Sequence, residues 1–145
     1  MRKKTKLARF SAWTVLLTLL TLGACRAEDN PPEQGLAAIV LAQYPAGIQE
    51  DYRVFHRKCS QCHDLSRPLN SDHVLPDEWS GCIRRMKRRS GADINPSEEK
   101  ALYDFLVYDS SVRKKDRLQA KLLALAPDAQ RQVKDKIKAV TGKYE

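Results

Sequence analysis

Glycine is scarce in this chain of 145 residues, with six in all, and no stretch predicts a β-strand or an internal repeat. The absence of strands excludes the βαβ pattern that disulfide oxidoreductases need. Long hydrophobic runs are also missing. The apolar run at residues 10–22 has 13 residues, which is too short to span a bilayer comfortably. The length of the chain and its lack of strands predict one small helical domain with additional segments.

A strong net charge is missing once the N-terminus is set aside. The formal charge is +8, but five basic residues fall within the first nine positions. Without residues 1–24 the chain has 21 basic and 18 acidic side chains, or +3. The bulk charge therefore does not indicate a nucleic-acid partner.

The first 24 residues resemble an export signal. A basic start, MRKKTKLAR, precedes the apolar run, which ends in Leu-Gly-Ala-Cys at residues 22–25. This ending is similar to the bacterial lipobox, which implies lipidation of Cys25 and stable anchoring to a membrane by several acyl chains. The alternative is a plain secretory signal that leaves Cys25 as a free thiol. In both cases we expect an exported protein, and with lipidation one held on the periplasmic side of a bacterial membrane.

The rest of the chain predicts helices separated by polar segments. Residues 25–35 are the lipidated cysteine and a flexible tether. Helices are expected at 36–43 and 49–59, and 64–75 is expected to be a loop. Pro76 begins a helix whose apolar stripe holds Trp79, Cys82, Ile83 and Met86. Asn95 caps the next helix, in which Leu102, Phe105 and Leu106 are buried. Two charged helices follow, at 112–126 and 128–141, each with a thin apolar stripe.

The sequence Cys59-Ser60-Gln61-Cys62-His63 carries the most specific signal in the chain. It is the C-x-x-C-H signature of covalent haem attachment. Thiols at i and i+3 lie one helical turn apart, so both can add to the vinyl groups of one porphyrin. His63 can then place an imidazole nitrogen on the iron. A redox disulfide would need the βαβ pattern that this sequence lacks. Half of a zinc site would need a second ligand pair at zinc-finger spacing, and none follows.

Met86 is the candidate for the sixth iron ligand. It is the only methionine after the signal segment and lies 23 residues after His63. A thioether would complete His/Met ligation and raise the reduction potential. The alternatives are that Met86 fills a gap in the core, or that His73 binds the iron from its loop. His56 lies one turn before Cys59, where we expect the helix to hold it away from the open side of the iron.

Other residues are candidates for the surroundings of the haem. Trp79 is either a core aromatic or a pocket wall whose N–H binds a propionate, and the two roles are compatible. Pro68 is expected to direct its carbonyl at His63 and fix the imidazole. Cys82 is expected to be a small buried hydrophobe, with a thiolate ligand or a redox-sensing thiol as alternatives.

A run of cations surrounds Met86. We interpret it either as a solvated face, which could also pair with propionates, or as a docking surface for an acidic redox partner near the haem edge. Its members are Arg84, Arg85, Lys87, Arg88 and Arg89.

Residues 49–108 resemble a class I cytochrome c. The similarity rests on Phe55 through His63, on W-x-x-x-I-x-x-M at 79–86, on Gly-Ala-Asp-Ile at 91–94, on Ser-Glu-Glu at 97–99 and on L-x-x-F-L at 102–106. It implies one covalent haem c, Met86 as the distal ligand, and Phe105 beside the haem where the last helix crosses the first. It also implies a pocket formed by Phe55, Pro68, Trp79, Ile83 and Phe105. Such domains often have glycine eight residues before the first cysteine, where this chain has Asp51.

These observations predict an all-α, single-haem cytochrome domain at 36–108 with a charged helical extension at 109–145. The expected function is one-electron transfer between redox proteins without substrate chemistry, so we do not expect an enzyme. Two alternatives stay open. An iron without Met86 would bind small ligands such as NO or CO, and tail helices that dock elsewhere would make the chain a subunit of a membrane redox complex. The thin tail stripes are equally consistent with folding back on the domain.

Overall fold

The computed structural model describes residues 41–89 and 91–144. The expected export signal, the lipidation of Cys25, the tether and residues 36–40 of the helix expected at 36–43 lie outside these residues. The described residues belong to one compact unit.

Within the described ranges the chain forms six helices and no strand, which confirms the all-α prediction. They are α1 (Ala46–Cys59), α2 (Ser66–Leu69), α3 (Pro76–Lys87), α4 (Pro96–Arg113), α5 (Lys115–Leu123) and α6 (Pro127–Thr141). The short α2 lies within the segment expected to be a loop.

Proline and asparagine determine where the helices start. Pro76, Pro96 and Pro127 each occupy the first turn of a helix, where a missing N–H costs nothing. Asn95 accepts a hydrogen bond from the Glu98 amide at 3.0 Å, and Glu98 accepts one from the Asn95 amide at 3.1 Å. The predicted starts of α3 and α4 are therefore confirmed.

Helix α4 lies at the centre of the fold and packs against α1, α3, α5 and α6. The main core lies between α1, α3 and α4 and contains an aromatic cluster. Phe55 of α1 lies 4.8 Å from Phe105 of α4, and Tyr52 meets Phe105 edge-on at 5.3 Å between ring centroids. These rings hold the first helix across the central one.

The charged tail packs back onto the same unit. Leu118, Leu122 and Val133 form a second core cluster with Val74, and Val140 belongs to the main core. The apolar stripes of the tail therefore pack against other helices of the described fold.

The expected domain boundary between residues 108 and 109 lies inside the continuous helix α4. Asp109 is only 4% exposed. Its carboxylate accepts hydrogen bonds from Tyr44 at 2.9 Å and from Arg113 at 2.6 and 2.8 Å. A buried carboxylate with these partners belongs to the domain interior, so the change in composition at this position does not mark a change of domain.

Candidate functional site

The C-x-x-C-H motif straddles the end of α1. Cys59 is the last residue of this helix, and Cys62 lies in the turn that follows. Cys59 is half-buried against the main core, whereas Cys62 is exposed, and both are free thiols. The pair therefore has one side chain at the edge of the core and one facing solvent.

A charged contact joins this end of α1 to the start of α4. The ammonium of Lys58 lies 3.0 Å from the Glu98 carboxylate and also donates to the carbonyl of Asp93. Arg57 approaches Glu98 at 3.5 Å. Glu98 is the residue that caps α4, so the same carboxylate orders the start of α4 and the last turn before Cys59.

Cys82 of α3 lies near the motif. Burial, followed by the neighbouring thiols of Cys82 and Cys62, raises the pKa of Cys59 to about 12. Redox-active cysteines have lowered pKa values that favour the thiolate. The pKa of the Cys59 thiol is thus shifted in the opposite direction. Cys82 packs against the main core but is half-buried, where the sequence predicted a buried residue.

The His63 imidazole is oriented by its neighbour in the chain. Its Nδ1 lies 3.0 Å from the carbonyl oxygen of Asp64. Because a carbonyl oxygen only accepts, Nδ1 carries the proton and Nε2 keeps the lone pair that can bind a metal.

The carbonyl of Pro68 has partners other than His63 in the described structure. Its carbonyl accepts from the Ser71 hydroxyl at 2.8 Å and from the Ser71 amide at 3.2 Å. Pro68 lies within the short helix α2, where its carbonyl serves the end of that helix. The Asp64 carbonyl provides the contact to His63 instead.

The residues of the α3 stripe differ in burial. Trp79 and Ile83 are 1% and 4% exposed and belong to the main core. Met86, in the last turn, is half-buried, and it packs against neither core cluster of the described residues. Its thioether is therefore not a gap-filler of the described core.

Trp79 is a core aromatic, and its N–H has a protein partner. The indole nitrogen donates to the Ser110 hydroxyl at 2.9 Å. A buried indole N–H requires an acceptor, and Ser110 provides it in the described structure. No local sequence pattern indicates this partner, which lies 31 positions away.

The other predicted pocket residues lie in the main core. Phe55 is fully buried and Phe105 is 2% exposed. The core thus brings together Phe55, Trp79, Ile83 and Phe105, whereas Pro68 is half-buried outside it.

The two other histidines have different environments. His73 is half-buried, and its ring centroid lies 5.4 Å from that of Trp79. His56 is exposed on α1, with its ring 6.1 Å from Tyr52.

The cations around Met86 are all exposed. Lys87 pairs with Glu99 at 2.6 Å. The four arginines have no ion-pair or hydrogen-bond partner for their side chains within the described ranges, and they form what we call the basic ridge: Arg84, Arg85, Arg88 and Arg89.

Two clefts on the described surface lie away from the motif. One, of about 400 Å³, is lined by residues 69–70, 113–114 and 116–117. The other, of about 300 Å³, lies between α3 and α4 and includes Ile83 and Tyr103 in its lining. Neither is lined by Cys59, Cys62, His63 or Met86.

A membrane-crossing helix is not found among residues 41–89 and 91–144, where every helix is too short or too polar. Comparison with known proteins adds no assignment: no protein-family model matches the chain, and no curated protein or solved structure matches it significantly.

Proposed function

We propose that this protein is a mono-haem c-type cytochrome that carries single electrons between redox partners. The observation that carries the proposal is the C-x-x-C-H motif at the end of α1, with two free thiols and an imidazole whose Nε2 is available to a metal. This set of donors fits a covalently held haem. Cys59 and Cys62 would form the thioether bonds, and His63 would bind the iron.

The bound haem would supply an iron that cycles between Fe(III) and Fe(II). The protein would retain the haem covalently, hold the His63 ring in place and exclude water from part of the surroundings of the haem. The buried aromatics Phe55 and Phe105 provide an apolar boundary near the motif. A low-dielectric environment disfavours the more highly charged ferric state and so raises the potential.

Met86 is proposed as the sixth ligand. It lies on the same α3 face as the buried residues Trp79 and Ile83, but its side chain does not pack in the described core. A thioether in that position is free to bind a metal. Closure of the sixth position would exclude small ligands, which is what an electron carrier requires.

The basic ridge is proposed as the docking surface for an acidic redox protein. Its four guanidinium groups have no acidic partner in the described part of the chain, and they flank Met86 in sequence. Exposed unpaired cations steer association with an oppositely charged surface and make its rate depend on ionic strength. Export and lipid anchoring at Cys25 would place this exchange at the periplasmic side of a membrane.

The test of this function is the visible spectrum of the exported protein purified with its haem. We expect a low-spin ferric spectrum with a far-red charge-transfer band that disappears in Met86→Ala. His73→Ala is the matched control, because His73 is the competing ligand, and it should retain the band. A high-spin spectrum of the unsubstituted protein would contradict the carrier function and favour a small-ligand-binding role. A chain without covalent haem would overturn the proposal entirely.

A further inference from the structure

Four cationic side chains donate to the backbone carbonyls of one loop. The loop, residues 69–73, starts at the last residue of α2 and leads towards α3. The cations come from the end of α4, from the α4–α5 junction and from α5, and we call them the tail clamp. The donor–acceptor pairs are Arg113 to Leu69 at 2.8 Å, Lys114 to Ser71 at 2.9 Å and to His73 at 3.2 Å, Arg117 to Ser71 at 3.2 Å, and Lys121 to Asp72 at 2.8 Å.

The loop depends on these donors. The carbonyls of Ser71, Asp72 and His73 accept no backbone N–H within the described ranges. Hydrogen bonds from charged donors are stronger than those between neutral groups. The tail clamp therefore replaces the regular backbone pairing that this loop lacks.

The tail clamp also reaches the start of α3. The Lys121 ammonium lies 2.5 Å from one oxygen of the Glu78 carboxylate. The other oxygen of Glu78 accepts from the amides of Val74 at 2.8 Å and Leu75 at 2.9 Å. A single carboxylate thus ties α5 to the two residues that precede α3.

Apolar contacts support the same arrangement. Val74, at the end of the loop, is 1% exposed and packs with Leu118 and Leu122 of α5. The Lys114 ammonium lies 5.2 Å from the centroid of the Trp79 ring, within the range of a cation–π contact. The tail therefore contacts both the loop and the first turn of α3.

We propose that the tail clamp positions Met86, and that residues 113–121 thereby help to set the ligation of the iron. Helix α3 is continuous from Pro76 to Lys87, and a helix transmits a displacement of its start along its length. Met86 lies eight residues after Glu78, which is about 12 Å along the helix axis. If the first turn of α3 is free to shift, Met86 shifts with it. This inference rests on the proposed His/Met ligation.

The experiment compares two triple variants of the full haem-loaded protein. The first removes part of the tail clamp, with Lys114→Ala, Arg117→Ala and Lys121→Ala. The matched control removes three charges from tail lysines that have no ion pair or side-chain hydrogen bond in the described structure, with Lys115→Ala, Lys134→Ala and Lys138→Ala. The readouts are the Met86-dependent far-red band, the reduction potential and hydrogen exchange at the Val74 and Leu75 amides.

We expect the first variant to lose at least half of the band, to shift to a lower potential than the control, and to exchange the Val74 and Leu75 amides at least tenfold faster. Should it fail to fold, Lys121→Ala alone is measured, with Lys121→Arg expected to restore the band. A folded variant that is merely less stable, with band and potential equal to the control, overturns the inference. Absence of the band in the unsubstituted protein overturns His/Met ligation as well, which distinguishes the two failures.

Discussion

The Tyr144 hydroxyl donates a hydrogen bond to the Asp51 carboxylate at 2.7 Å, across 93 positions of the chain. Asp51 stands where the class I cytochromes that the sequence resembles often have glycine. Tyr144 also lies 3.4 Å from Asp104, whose carboxylate pairs with Lys143 at 3.0 Å. Asp51 on α1 thus binds Tyr144 near the end of the tail, and α1 packs against α4.

We expect Tyr144→Phe to lower the free energy of unfolding by about 1–2 kcal/mol, because a half-buried carboxylate loses a donor. Chemical denaturation of the full chain measures this. Tyr103→Phe is the matched control, since the Tyr103 hydroxyl has no hydrogen bond in the described structure. An equal effect of the two substitutions would show that the contact to Asp51 contributes nothing.

The effect of substituting Gly47 on stability should depend on Tyr144. A Cβ added to Gly47 would lie 2.5 Å from Cε1 of the Tyr144 ring, so Gly47→Ala must displace the ring. In a Tyr144→Ala background that conflict is absent, and the substitution should be neutral or stabilise by up to about 1 kcal/mol through helix propensity. A double-mutant cycle measures the difference. Coupling near zero would contradict the contact of the tail with α1.

The starts of α3 and α4 were predictable, whereas that of α1, which begins at Ala46 and not at residue 49, and the tertiary contacts of the tail were not. The signals at Pro76 and Asn95 act within four residues, so the sequence alone reveals them. The bond between Trp79 and Ser110 joins residues that only the packing of α3 on α4 brings together. Serine has no pattern that distinguishes a core acceptor from a surface residue, so its partner could not be named from the sequence.

Asp109 shows that composition does not reveal packing at the expected boundary. Charged residues are frequent from this position onward, which predicted a charged helical extension after residue 108. Asp109 is buried because Tyr44 and Arg113 satisfy its carboxylate, and Tyr44 lies 65 positions earlier. Local composition does not reveal such a partner.

Ser110→Ala should lower the free energy of unfolding by about 1–3 kcal/mol, since it leaves the buried indole N–H of Trp79 without an acceptor. Ser111→Ala is the control, because the Ser111 hydroxyl bonds only to a carbonyl of its own helix, that of Tyr108 at 2.7 Å. We expect its effect to stay within about 0.5 kcal/mol. Equal losses in both variants would contradict the importance of the indole contact.

The carboxylate of Glu78 should make stability depend on pH in the acid range. Burial alone would raise its pKa, but Lys121 and the amides of Leu75 and Val74 outweigh burial and hold the pKa below its ordinary value. A lowered pKa means that the unfolded chain binds the proton more readily. The stabilisation is therefore complete above the ordinary pKa of glutamate and is lost as the pH falls through the folded value.

Unfolding of Glu78→Gln from pH 7 to pH 3 tests this dependence. The variant should be less stable than the unsubstituted protein at pH 7, and the difference should shrink at acid pH, where Glu78 becomes protonated in both states of the parent. Glu50→Gln serves as control, because Glu50 is exposed and contacts only Arg53 one turn away. A difference that is constant with pH would show that Glu78 acts through shape instead of charge.

Cys82 provides a test of which thiols hold the haem. It lies near Cys59 and packs on the same core, but it is outside the i, i+3 pair that can reach two vinyl groups of one porphyrin. We expect Cys82→Ala to keep both thioether bonds, so that the haem stays on the chain in denaturant and acid. Cys59→Ala should leave one bond at most and shift the α-band of the pyridine haemochrome to longer wavelength. The same shift in Cys82→Ala would mean that Cys82 replaces a cysteine of the motif, and would contradict the proposed attachment.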